Sequence, residues 1–202
     1  MKRIDVWDIP VRLFHVIFAG TFLAAFAIAS TVEDESALFG YHMLLGGIMV
    51  FTILLRLVWG VVGSRYARFD SFSFFPSEIA DYFRGVITGE GEKHLGHNPG
   101  SSVAIFAMFA LGIGLGITGF FMSTGGEFFE EIHEILAYGF AAVVVAHIAG
   151  VVLHAIRHRD GTATSMLHGK KEGEPGQGIQ STKPVVAAVV LALTVVWAWG
   201  LF

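Results

Sequence analysis

Apolar residues gather into five long runs with short or polar stretches between them. The runs extend from about Pro10 to Ser30, Phe39 to Val62, Ser102 to Ser123, Glu130 to His158 and Val185 to Phe202. Runs of roughly 18 to 25 residues match the hydrocarbon core of a bilayer, so the pattern predicts an all-α membrane protein. Pro10 suits the first turn of the first helix, and Asp8 is placed to cap it. Lys2 and Arg3 before an apolar run ending Ala27-Ile28-Ala29 raise the possibility of a signal peptide. The run is too long for such a segment and carries Arg12 and His15 near its start, so it is read as a retained helix. Within the polar connection from Gly63 to Gly100, PSEIADYFRGVIT places Ile79, Tyr82, Phe83, Val86 and Ile87 on one face. A short amphipathic helix lying along the membrane surface is expected there. The third run carries Gly112-x-x-x-Gly116, which permits close helix packing. The stretch from Arg157 to Lys183 is rich in glycine and charge and reads as a loop or linker.

Charge orders the runs across the membrane. Lys2, Arg3 and Arg12 precede or open the first; Arg65, Arg68, Arg84 and Lys93 lie between the second and third; Arg157, Arg159, Lys170, Lys171 and Lys183 follow the fourth. The two remaining connections, around Glu33-Asp34-Glu35 and Glu127 to Glu131, hold no lysine or arginine. The positive-inside rule then sets the N-terminus in the cytoplasm and, after five spans, the C-terminus outside.

Composition agrees and removes several chemistries. The 202 residues are 54% hydrophobic and 15% charged, with a mean hydropathy of +0.65, which is a membrane composition. There is no cysteine, which excludes disulfides, iron–sulfur clusters and covalently attached c-type haem. No basic domain or aromatic-studded basic groove suggests nucleic acid.

Histidines in apolar runs carry the candidate chemistry, because an ionisable residue in a membrane helix marks a functional site by default. His133 and His147 are fourteen residues apart, roughly 21 Å along a helix and within about 40° of one direction. With the topology above, His42 and His133 share the outer half, and His15 meets His147 or His154 in the inner half. Two transverse imidazole pairs suit two bis-histidine haems stacked across the bilayer. His154 lies about 31 Å from His133, which would push a haem into the headgroups, so His147 is preferred and His154 is given a supporting place near a propionate. Arg56, fourteen residues after His42, either meets a propionate or extends to the interface; Arg12 could serve likewise. Gly46, Gly47, Ala19 and Gly20 could admit a porphyrin, or simply pack helices. His94, His97, His158 and His168 lie in polar sequence and are expected to be solvated or interfacial. The competing reading is a histidine-containing transporter for metal ions or protons, which the scarcity of membrane carboxylates weakens.

The motifs VWDIPVRLFH, YHMLLGGIMVFTILLRLVWGVVGSRYARF, LGHNPGSS, EEIHEILAYGFAAVVVAHIAGVVLH and SMLHGKK resemble the prokaryotic cytochrome b561 family, which includes the b-type cytochrome subunits of nickel–iron hydrogenases. The resemblance covers roughly residues 4 to 171. It implies a four-helix transmembrane haem-binding bundle with two noncovalent b haems on His15, His42, His133 and His147. The chain would be an electron-transfer subunit of an oxidoreductase complex in the bacterial inner membrane. It would exchange electrons between quinone and a periplasmic redox protein such as a c-type cytochrome or a hydrogenase. The expected organisation is residues 1–171 as the dihaem domain, 172–183 as a polar linker and 184–202 as a fifth transmembrane helix outside the family core.

Overall fold

The computed structural model describes residues 2–33, 35–90, 93–158 and 161–201. Asp34 of the first acidic link, Arg159 of the basic stretch and Phe202 at the end of the fifth run lie outside the described residues. Among the described residues, four helices are long and apolar enough to cross a membrane: α1 (Ile9–Thr31), α2 (Phe39–Val62), α4 (Pro99–Ser123) and α5 (Phe129–His158). Helix α3 (Pro76–Thr88) is the short amphipathic element expected from the pattern, and α7 (Pro184–Gly200) is a shorter apolar helix of 17 residues.

Local chemistry starts and stops these helices. The side chain of Asp8 accepts from Val11 N at 2.8 Å, capping α1, and Pro10 fills the first turn where no amide donor is needed. Asn98 caps α4 in the same way by accepting from Ser101 N, with Pro99 following. Gly89 closes α3 in the left-handed region at φ 83°.

The bundle consists of two helical hairpins. Helix α1 packs along α2 and α4 along α5, and the hairpins meet where α2 touches α4. That meeting depends on missing side chains: a Cβ on Gly112 would lie 2.5 Å from Ile53, and one on Gly116 would lie 2.5 Å from Val50. The Gly-x-x-x-Gly spacing therefore sets the α2–α4 approach. Helix α5 packs closely on α4 and on α6 (Thr162–His168), not on α1 or α2. Across the remaining gap, aromatic rings make the bridge: Phe140 meets Phe18 at 5.6 Å and Phe22 at 4.2 Å, and Tyr138 meets Phe26 at 6.0 Å.

The basic end is more ordered than a loop-and-linker reading suggests. Strand β1 (Lys2–Asp5) pairs antiparallel with β2 (Lys170–Gly173), Lys2 opposite Gly173 and Asp5 opposite Lys170. The carbonyl of Gly169 accepts from both Val6 N and Trp7 N. The chain after β2 folds back along this ribbon: Ile179 N donates to Asp5 O, Ile9 N to Thr182 O, and the Tyr66 hydroxyl to Gln177 O. A compact cluster of Val6, Trp7, Val11, Phe14, Trp59, Tyr66 and Ala67 seals this end. Helix α7 leaves from it and runs beside α1 and α2; Val190 packs into the cluster and Trp197 stacks on Phe51 at 4.8 Å.

Candidate functional site

His42 and His133 meet across the gap between the hairpins, with ring centroids 6.1 Å apart and planes inclined at 69°. Each ring is anchored at Nδ1. His42 Nδ1 lies 2.9 Å from the carbonyl of Ala25, and since a carbonyl only accepts, Nδ1 must carry the proton. His133 Nδ1 lies 2.8 Å from Thr118 Oγ1. The Thr118 hydroxyl donates back to the Gly114 carbonyl at 2.9 Å, so its oxygen is left to accept from His133. In the neutral form of each ring this tautomer leaves Nε2 without a proton, the form in which imidazole binds a metal. Gly119 lies against this ring, where an added Cβ would be 3.5 Å from His133 Cε1, an ordinary van der Waals contact.

The second pair lies towards the basic end. His15 and His147 are near enough for their charges to interact. His15 is exposed and the other three imidazoles are half-buried, so none is sealed into side-chain packing. His154 is buried and turns to His158, whose ring lies 4.4 Å away. His15 is thus within electrostatic reach of His147, while the ring beside His154 is that of His158.

Arg56 is 6% exposed, so it does not extend into the interface. Its Nη2 donates to Ala67 O at 2.9 Å, its guanidinium lies 5.3 Å over the Phe69 ring, and Nη1 has no partner. Arg12 donates through Nε to Met166 O at 3.2 Å and through Nη2 to Leu167 O, closing the end of α6. Of the glycines considered for porphyrin approach, Gly20 and Gly46 face open space, whereas Gly47 is filled by Leu201 of the α7 end at 2.8 Å. Ala19 is half-buried.

Two participants were not recognised in the sequence. Thr118 sits in a run that reads as plain packing, and only the fold shows what it holds. The polar sequence around His97 suggests a solvated or interfacial ring, but it is 9% exposed, covered by Trp7 at 4.7 Å and Phe72 at 4.2 Å. Burial first, then the charges of Arg56, Lys171 and His147, push its pKa well down, so the ring is neutral. Its neighbours come from distant segments, so a local reading could not find them.

These residues fit a planar group with iron at its centre. A gap between hairpins holds paired imidazoles from opposite sides, with a spacing that leaves room for one ion about 2 Å from each nitrogen. Above and below the aromatic bridge the backbone at Gly20 and Gly46 is bare. Among the described residues there is no cluster of three or more histidine, aspartate, glutamate or cysteine side chains able to hold a metal ion by itself.

Residues 6–169 match the family described as prokaryotic cytochrome b561. The chain is 22% identical to the probable Ni/Fe-hydrogenase 1 B-type cytochrome subunit of Escherichia coli K12, over 85% of this chain and 92% of that protein. It is 22% identical to the probable Ni/Fe-hydrogenase B-type cytochrome subunit of Bradyrhizobium diazoefficiens, over 83% of this chain and 85% of the relative. The corresponding protein of Rhizobium leguminosarum is 24% identical, over 84% and 89%. No solved structure matches the chain.

Proposed function

We propose, given that this chain belongs to the prokaryotic cytochrome b561 family, that it carries electrons across the membrane through two noncovalent b haems. His42 and His133 would hold the outer haem, and His15 and His147 the inner one. The chain is a multi-pass membrane cytochrome of b type. The observation that carries the two-haem reading is the His42–His133 pair, with both Nδ1 atoms engaged and both Nε2 atoms available. His15, whose charge reaches His147, supplies the candidate second pair in the other half of the bundle.

Haem held by these imidazoles would supply one-electron chemistry suited to outer-sphere transfer. The chain's own residues do the rest. Ala25 and Thr118 fix the tautomer and direction of the outer imidazoles. The Phe22–Phe140 stack keeps the space between the two levels dry and filled. Arg56 offers a buried positive charge to the inner porphyrin. Arg12 anchors α6 beneath that site, and His154 supports it from the far side of His147.

The basic end would face the cytoplasm by the positive-inside rule. The protein would sit in the bacterial inner membrane with its N-terminus in the cytoplasm and its C-terminus in the periplasm. Helix α7, about 26 Å long at 1.5 Å per residue, would be the fifth span, and α3 would rest on the inner surface with Phe75, Phe83 and Ile87 exposed to lipid. Residues 1–171 would form the dihaem domain and 172–183 its link to that span. Relatives named as hydrogenase cytochrome subunits favour exchange between the quinone pool and a periplasmic hydrogenase-like enzyme or c-type cytochrome.

Purified protein should give a reduced-minus-oxidised b-type spectrum and, by pyridine haemochrome, close to two haems per chain. One haem or none would overturn the two-haem reading. Quinol should reduce the haems; failure to do so would remove the quinone assignment while leaving the haems in place.

A further inference from the structure

Among the described residues, Arg56 Nη1 and His97 Nδ1 are two of the buried polar atoms that have no hydrogen-bond partner. Their residues are 6% and 9% exposed, so water does not readily compensate them, and an unmet buried polar atom is costly. A run of ring contacts joins the two residues. Arg56 lies 5.3 Å over Phe69, Phe69 meets Phe72 at 5.5 Å, and Phe72 stacks on His97 at 4.2 Å. The charge of Arg56 reaches His97, and so does that of His147 from the inner imidazole pair. The buried carboxylate of Asp8 is already used: Oδ1 accepts from Val11 N and Oδ2 from Trp59 Nε1 at 3.0 Å. Lys171 flanks this run, donating to His94 O and lying 5.4 Å over the Trp7 ring.

With the His97 proton on Nδ1, an occupant that satisfies both orphans accepts from a guanidinium and from an imidazole N–H, and it must offset a buried positive charge. A carboxylate meets all three demands, with two oxygens on one small group. We infer that Arg56 and His97 together clasp a propionate of the inner haem, which fixes the propionate edge of that ring towards the basic end. This rests on the haem reading above and adds His97 to it. A neutral His97 still donates from one nitrogen, so its low basicity suits a hydrogen-bonding role. Both residues position the cofactor; neither ligates it.

The test uses intact protein produced with haem carrying ¹³C at the propionate carboxyls. Reduced-minus-oxidised infrared spectra and potentiometric titrations are compared for wild type, Arg56→Lys, His97→Gln and His97→Phe. Two haems per chain should persist in all four. In His97→Phe and Arg56→Lys the ¹³C-sensitive carboxylate bands should shift. In His97→Phe one of the two midpoint potentials should fall, because a carboxylate that loses its donor favours ferric iron. His97→Gln, which keeps a donor, should lie closer to wild type. With two haems bound, unchanged propionate bands and unchanged potentials in both His97→Phe and Arg56→Lys would overturn the inference, for instance because buried water meets the orphans. Wild-type protein without haem would sink the parent reading, and this one with it.

Discussion

Phe22 of α1 and Phe140 of α5 stack at 4.2 Å with their planes 29° apart, seven residues from His15 and midway between His133 and His147. Seven residues advance a helix by about 10.5 Å and two turns, so the stack occupies the level between the two imidazole pairs. Phe140 is fully buried, and Gly112, Ile53 and Met49 close the space beside it. Phe140→Ala should leave a cavity there and lower stability by about 3–5 kcal/mol. Thermal unfolding in detergent checks this, and Phe140→Leu should cost less. A Phe140→Ala protein as stable as wild type would mean that α1 and α5 do not depend on this bridge.

The ligand assignment makes a crossed prediction. His42→Ala or His133→Ala should remove one haem and leave the other; His15→Ala or His147→Ala should remove the one that remains in the first two. Haem content and the spectrum of the retained haem distinguish the sets. If His147→Ala keeps both haems and His154→Ala loses one, the inner ligand is His154.

Thr118→Val keeps the shape of the side chain and removes the oxygen that meets His133 Nδ1. Loss of such an orienting partner typically weakens binding about 10- to 100-fold. The outer haem should be lost more readily on dilution in detergent, and its midpoint potential should rise because the imidazole becomes less basic. The inner haem should be unaffected. Equal retention of both haems in Thr118→Val would show that the hydroxyl does not orient His133.

The sequence made the spans legible because they are long and uniform. The expected second run coincides with α2, and the first, third and fourth differ from α1, α4 and α5 by three residues or fewer at either end. Helix α3 was equally plain, because Pro76 starts it and Gly89 ends it. The ribbon of β1 and β2 was not legible. Lys2–Asp5 and Lys170–Gly173 are four-residue strands with no apolar alternation, and they pair across more than 160 residues of intervening chain. His97 was obscured for the same reason, since Trp7 and Phe72 reach it only through the fold. Gly47 shows the converse: its sequence neighbours suggested porphyrin contact, but the Leu201 side chain occupies the space.

His97 also predicts an acid limb in the stability profile. Its pKa in the folded chain lies well below the ordinary 6.5, so below about pH 6.5 the unfolded chain binds a proton that the folded chain does not. Stability then rises with pH through the window beneath 6.5 and levels off above it. In haem-free protein, where no propionate carboxylate faces the ring, His97→Phe should flatten that limb relative to wild type in thermal unfolding measured from pH 5 to 8, values chosen to bracket the ordinary histidine range. Parallel profiles for the two proteins would refute this account of His97.

The acidic links give the last prediction. Glu33, Glu35, Glu127, Glu130 and Glu131 are exposed at the end of the bundle that carries His42 and His133. Neither link contains lysine or arginine, so their charges add rather than cancel within this end. A field of one sign speeds encounter with an oppositely charged partner by roughly 10-fold to 1,000-fold, and salt screens it over about 8 Å at physiological ionic strength. A redox partner with a basic patch would therefore be drawn to the end nearest the outer haem. In stopped-flow reduction of a basic periplasmic c-type cytochrome by the quinol-reduced protein, the second-order rate should fall steeply as salt rises. Glu127→Gln, Glu130→Gln and Glu131→Gln combined should lower the low-salt rate by about tenfold and flatten the salt dependence, while quinol still reduces both haems at the wild-type rate. The same rate at every salt concentration in wild type and triple variant would mean that these carboxylates are solvated helix ends with no part in docking.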